Sequence, residues 1–127
     1  MIIGIGLDIV EVKRFAEALE RNGERMRMRF FTTAERAYCE SHRDPAPHYA
    51  ARFAAKEAFA KALGRGIANG IRWVHVEVIR EPSGKPSLQV HAIARTFLEE
   101  RGNVMCWLSL SHTDVTAAAT VVLELIP

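Results

Sequence analysis

The chain has 127 residues, 49% of them hydrophobic and 25% charged, with a formal net charge of +2. That length fits one domain able to bury roughly two thirds of its unfolded surface. The small charge excludes nucleic acid as a bulk partner, no apolar run is long enough to span a membrane, and the two cysteines, Cys39 and Cys106, lack metal-ligand spacing and fit a reducing, cytoplasmic setting.

Met1–Ile9 is a β-branched apolar run holding Gly4 and Gly6. It reads as a buried strand whose glycines admit a close neighbour. The segment lacks a basic n-region and ends in Asp8 and Glu11, so it does not read as a signal peptide. Val10–Asn22 follows as an amphipathic helix with Val12, Phe15, Ala16 and Leu19 on one stripe, ended by Asn22-Gly23. Glu24–Phe31 alternates charge and bulk. It reads either as a solvated face with Met26, Met28 and Phe30 inward, or as a basic docking surface for an acidic partner. Thr32-Thr33-Ala34-Glu35 is a capping box that starts a helix to about Ser41, and Arg43–Pro47 is a loop.

Ala50–Leu63 is a helix dominated by alanine, stopped by Gly64 and Gly66. Glu57 and Lys61 lie one turn apart on the face of Phe53, with Ala51, Ala55, Phe59 and Ala62 opposite. So much alanine implies packing on more than one face, and charges set into such a helix need a partner or a ligand. An ordinary Glu57–Lys61 ion pair would contribute about 0.2–0.5 kcal/mol.

Ile71–Arg80 alternates as a strand with Val74, Val76 and Val78 on one face; Glu81–Pro86 is a tight turn and Ser87–Val90 returns. Ala92–Arg101 is a helix with Ile93, Phe97 and Leu98 inward. Val104–Leu110 and Val115–Leu125 are apolar strands flanking the turn Ser111–Asp114. Short turns between strands favour antiparallel pairing, and the whole reads as a single α+β domain over residues 1–127, a mainly antiparallel sheet packed around the alanine-rich helix.

The motifs taken singly are ambiguous. Gly4–Asp8 lacks the third glycine of a dinucleotide fingerprint, and Asp8-x-x-Glu11 is itself a capping box worth about 1 kcal/mol. Glu81–Pro86 is either a plain hairpin turn or a glycine loop whose amides and Lys85 face an anion. His112 could be a satisfied surface residue or, with the Thr113 hydroxyl, could bind a phosphate; Ser111 and His112 are adjacent and no obvious acid orients the histidine, so a hydrolytic triad is poorly supported. His42, His48, His75 and His91 are scattered.

Their combination is more specific. GIGLDIVEVKRF at Gly4–Phe15, RFAAKEAFAKALGRGI at Arg52–Ile67 and LSLSHTDVTAAATVV at Leu108–Val122 occur in order, with Gly84-Lys85-Pro86 between the last two. This set closely resembles the holo-acyl-carrier-protein synthases, the small bacterial branch of the 4′-phosphopantetheinyl transferases. The resemblance implies that fold and transfer of phosphopantetheine from coenzyme A to a serine of apo-acyl carrier protein, in support of fatty acid biosynthesis. It also implies Mg²⁺ held by Asp8 and Glu57, ions whose preference for hard oxygens suits two carboxylates and a diphosphate. By the same resemblance Lys61 neutralises the leaving group, and Glu57, directly or through a metal-bound water, takes the serine proton. Arg52, Lys61, His112 and Thr113 would bind coenzyme A phosphates, and Gly84, Lys85 and Pro86 would line the adenosine. Arg14, with Arg21, Arg25 and Arg29 beside it, would dock the acidic carrier protein. The family implies a homotrimer with shared sites, which suits Val115–Leu125, a long strand that needs cover on both sides. The alternative from another class is a non-catalytic coenzyme A- or nucleotide-binding module of the same fold.

Overall fold

A computed structural model describes residues 1–127. Strand β1 (Ile2–Glu11) leads into helix α1 (Val12–Phe30), α2 (Thr33–Glu40) and the long α3 (Ala46–Leu63). A 3₁₀ turn at Trp73–His75 precedes the hairpin β2 (Val76–Arg80) and β3 (Pro86–Val90), then α4 (Ala92–Glu99), β4 (Val104–His112) and β5 (Thr116–Leu125). All strand pairs are antiparallel. β1, β5 and β4 form one sheet in that order, and β2–β3 stands apart as a second. The expected α+β class and antiparallel pairing are therefore observed. No helix is long and apolar enough to cross a membrane.

Helix α3 runs across the inner face of the three-stranded sheet. Gly4 and Gly6 explain how closely it lies: a methyl on Gly6 would run into the Ala58 carbonyl oxygen, and one on Gly4 into that of Ala62. The glycines of the strand thus face the alanines of the helix, backbone against backbone. Around this contact a core forms from Ala54, Ala55, Ala58, Phe59 and Leu63 with Val121 and Leu123 of β5 and Val76 and Val78 of β2. A second cluster joins α1, α2 and the start of α3 through Phe15, Phe31, Cys39 and Tyr49. Along α3 only one stripe escapes burial after its first turn: Phe53 and Glu57 half-exposed, Lys61 and Gly64 exposed.

Several local expectations change. Asn22-Gly23 does not end α1; the chain kinks at Gly23 (φ 55°) and the helix resumes to Phe30. Helical rather than alternating spacing then turns Met26 and Phe30 inward and leaves Met28 exposed. α3 starts at Ala46, with proline in its first turn, where a missing N–H costs nothing. Trp73–His75 is 3₁₀ turn rather than strand, so Val74 lies outside the β2 alternation. Ile93 is exposed, and Ala94 and Leu98 face the core. β1 is buried on one face only: Ile5, Leu7 and Ile9 on the other are 68%, 55% and 66% exposed.

Candidate active site

Asp8 sits within β1, paired opposite Ala119, and Glu11 caps α1 without a side-chain bond. The capping reading of Asp8 is thereby overturned: strand geometry continues three residues past it, so its carboxylate is free of any helix end. It shares with Gly4 and Gly6 the face turned toward α3, because side chains alternate along a strand. Lys61 reaches across from the exposed stripe of α3, donating to Asp8 Oδ1 at 2.9 Å and to the Leu7 carbonyl at 2.9 Å. The ordinary Glu57–Lys61 ion pair that the spacing allowed is absent; Lys61 pairs with Asp8 instead.

Glu57 and Asp8 line one open depression of about 490 Å³ with Arg14, Phe15, Arg21 and Phe53. Partial burial, and then the charge of Asp8, hold the Glu57 carboxyl above its ordinary range, with Lys61 opposing. Two carboxylates on one concavity, one already gripping an ammonium, form a set of hard oxygens that a small divalent cation would neutralise. Arg14 and Arg21 therefore stand at the rim of the carboxylate site. Arg25 and Arg29 continue the exposed row around a second depression with Met26 and Phe30. None of these four arginines makes an ion pair.

A second group forms at the start of α3. Arg52 is 3% exposed, has no carboxylate partner, and its Nε finds no hydrogen bond. Its guanidinium lies 4.0 Å from the centroid of the Tyr38 ring. A buried, unpaired charge is costly, and an anion is what would satisfy it. Three histidines gather beside it rather than scattering: His42 and His48 stack at 3.6 Å, and His112 meets His48 edge-on at 4.9 Å. Burial, reinforced by His42, His112 and Arg52, lowers the His48 pKa to about 4. β4 extends through Ser111 and His112, which carries His112 to this cluster; the turn is shorter than expected. The Thr113 hydroxyl accepts from the amides of Val115 and Thr116 at 3.1 and 3.0 Å, so its oxygen holds that turn.

Gly84-Lys85-Pro86 closes the β2–β3 hairpin, with Gly84 at φ 91°. Arg80 at the base of this loop donates to the Tyr38 hydroxyl at 3.0 Å, linking the loop to the Arg52 group. Lys85 lies over Trp107 of β4 on the outer side of the sheet. One chain thus brings together Asp8, Glu57, Lys61, Arg14 and Arg21, and separately Arg52 and His112. The Gly84–Pro86 loop joins the second set and not the first. Tyr38, Arg80, His42 and His48 escaped sequence reasoning, since only the fold brings α2, β2 and β4 to one end of α3.

A family model for the 4′-phosphopantetheinyl transferase superfamily matches residues 4–121. The holo-[acyl-carrier-protein] synthase of Syntrophotalea carbinolica is 49% identical over 95% of this chain and 94% of its own. That of Geobacter sp. is 46% identical over 98% and 99%. The crystal structure of the Neisseria meningitidis synthase superposes with a TM-score of 0.90 at 36% identity, covering 98% of this chain and 99% of that one. The Bacillus anthracis synthase, solved in complex with CoA (3′,5′-ADP), gives 0.82 at 34% identity, with 99% of each chain covered. The chain belongs to the 4′-phosphopantetheinyl transferase superfamily and, within it, to the holo-[acyl-carrier-protein] synthases.

Proposed function

We propose that residues 1–127 act as one catalytic domain in the cytoplasm, transferring 4′-phosphopantetheine from coenzyme A to a serine hydroxyl of apo-acyl carrier protein and so serving fatty acid biosynthesis. The observation that carries this reading is the convergence of Asp8 and Glu57 with a basic rim on one depression, Lys61 being held to Asp8. In the transfer the serine oxygen bonds to the β-phosphorus of the diphosphate, the phosphoanhydride bond to the adenylate side breaks, and adenosine 3′,5′-bisphosphate leaves. Glu57 accepts the serine proton; a carboxyl held above its ordinary range is the better base. Lys61, pinned by the Leu7 carbonyl, offers its ammonium to the charge that grows on the leaving phosphate. Asp8 and Glu57 fit Mg²⁺, which when bound supplies further positive charge at the diphosphate.

Arg52, unpaired and buried, with His112 beside it, receives a phosphate of coenzyme A, and Gly84–Pro86 receives the adenosine. The exposed row Arg14, Arg21, Arg25 and Arg29 receives the acidic carrier protein, steering it at a rate that salt would slow. We further propose a homotrimer with shared sites. Ile5, Val122 and Trp107 align across the sheet's outer face, flanked by Leu7, Ile9 and Met105, and apart from Lys85 at Trp107 these apolar side chains stand largely exposed. The Gly84 loop forms no wall of the Asp8–Glu57 depression, which agrees with a site completed by a neighbour. The test is incubation with coenzyme A, Mg²⁺ and apo-carrier protein, followed by mass spectrometry of the carrier. Gain of a phosphopantetheine mass supports the reading; Mg²⁺-dependent coenzyme A binding without that gain would identify a non-catalytic binding module instead.

A further inference from the structure

The most deeply buried charges in the molecule are not those of the carboxylate site. Lys56, adjacent to Glu57 on α3, and Glu35 on α2 have fully buried side chains and meet at 2.9 Å. Both are completely engaged. Lys56 Nζ donates to Glu35 Oε1 at 2.9 Å, to the Trp73 carbonyl at 3.1 Å and to the Val76 carbonyl at 2.6 Å. Glu35 accepts in addition from the amides of Thr32 and Val78, both at 2.9 Å. Thr32, in turn, donates to Glu77 of β2 at 2.6 Å, and Glu77 meets His91 at 3.0 Å.

Apart from the Lys56–Glu35 bond itself, every long-range bond of this network reaches the 3₁₀ turn or β2. That matters because no backbone ladder joins the β2–β3 hairpin to the three-stranded sheet. The placement of the hairpin depends on side chains: the apolar contacts of Val76, Val78, Leu88 and Val90, which are non-directional, and hydrogen bonds, which have direction, among them the Lys56–Glu35 network at one end of β2 and Arg80–Tyr38 at the other. A buried ion pair is weak evidence for stability, since an apolar pair of similar volume often serves as well. Its directionality makes it a register device.

We propose that Lys56 and Glu35 are positioning residues for coenzyme A: they fix the hairpin loop Gly84–Pro86 and Arg80 relative to Arg52 on α3. The proposal rests on the coenzyme A reading above. The bonds to Trp73 and Val76 set where β2 begins. Arg80, at the far end of the same strand, reaches Tyr38, which stacks on Arg52. Slippage of β2 therefore moves one wall of the coenzyme A site against the other. Asp8 and Lys61 bond to each other and to the Leu7 carbonyl and to no member of this network, so coenzyme A binding is expected to suffer more than the transfer step.

The test is the double variant Glu35→Gln/Lys56→Met, which removes both charges and keeps the volume and one acceptor. With the folded protein, the KM for coenzyme A rises roughly tenfold while kcat at saturation changes less than about twofold. An independent readout needs no ligand. Trp73, whose carbonyl Lys56 holds, stacks on Phe53 at 5.0 Å, so its fluorescence in a Trp107→Phe background changes when the tie is lost. If the double variant does not fold, Glu35→Gln alone is judged by the same two criteria. A folded variant with unchanged KM and unchanged Trp73 emission overturns the proposal, as does a fall in kcat that follows only the folded fraction. If the unmodified protein shows no coenzyme A binding by calorimetry, the functional reading fails; the positional claim is then decided by the Trp73 signal.

Discussion

Replacing Gly6 by alanine adds a single methyl at the tightest contact in the fold. That carbon would overlap the Ala58 carbonyl oxygen and stand 2.8 Å from the Ala62 nitrogen and 2.9 Å from the Ala58 carbonyl carbon. Non-bonded carbon contacts normally begin near about 3.5 Å, so β1 and α3 must separate by at least roughly 0.7 Å. All of these neighbours are backbone, and neither element can yield by changing a rotamer. Overpacking of this kind costs about 1–3 kcal/mol, and a rigid backbone contact belongs at the upper end. For a chain of this size, about 3 kcal/mol lowers Tm by roughly 10 °C. Asp8 lies two residues further along the displaced strand, so activity falls beyond what instability explains. Scanning calorimetry on Gly6→Ala checks the first part, and turnover well below the melt checks the second. Gly66→Ala, where an added methyl meets nothing within 4 Å, is the control and leaves Tm within about 2 °C of the parent. A Gly6→Ala protein that melts with the parent would refute the backbone-to-backbone account of α3 and β1.

Glu57→Gln raises the thermal stability of the metal-free protein at pH 7. Its folded pKa lies above the unfolded value of 4.5, so the folded state loses stability as pH rises through that window. Below about pH 4 the gain disappears; a variant equally stable across the range in chelator would contradict the burial of Glu57 beside Asp8. His48 has the opposite sign: with its pKa lowered to about 4, unfolding takes up a proton as pH falls from 6.5 toward 4, and stability is lost there. His48→Gln flattens that part of the melting profile, measured by circular dichroism at several pH values. Ile5→Asp, on the exposed outer face, leaves the isolated fold intact but dissociates the proposed trimer. Sedimentation shows monomer for the variant; a parent that sediments as monomer removes the role of that face.

The sequence already contained the contact that organises the fold, glycine in β1 against alanine in α3, because both residue types announce close approach. Thr32 and Glu35 were equally legible as a capping box, and the bonds between them are present. Which charge of α3 goes inward was not legible. Lys56 and Glu57 are neighbours in sequence, and the helix direction that buries one and leaves the other at the depression is set by α2 and the hairpin. The 3₁₀ turn at Trp73–His75 escaped for the same reason: Lys56 holds two of its flanking carbonyls, an interaction that local alternation cannot reveal. Continuation of α1 through Gly23 shows tertiary packing of Met26 and Phe30 overriding a stop signal. The histidine cluster around Arg52 needed three elements to converge. The apolar composition of β5 on both faces was readable; α3 and the chain's other elements bury only the inner one.

If Asp8 and Glu57 form the chemical centre of a phosphopantetheinyl transfer, neither can be neutralised without loss of turnover. The direct measurement is the initial rate of carrier modification, followed by mass spectrometry at saturating coenzyme A and Mg²⁺, for the parent, Asp8→Asn and Glu57→Gln. Rapid modification by the parent and a loss of at least about a hundredfold in each folded variant is the expected result. Unchanged turnover in either variant would place the chemistry elsewhere.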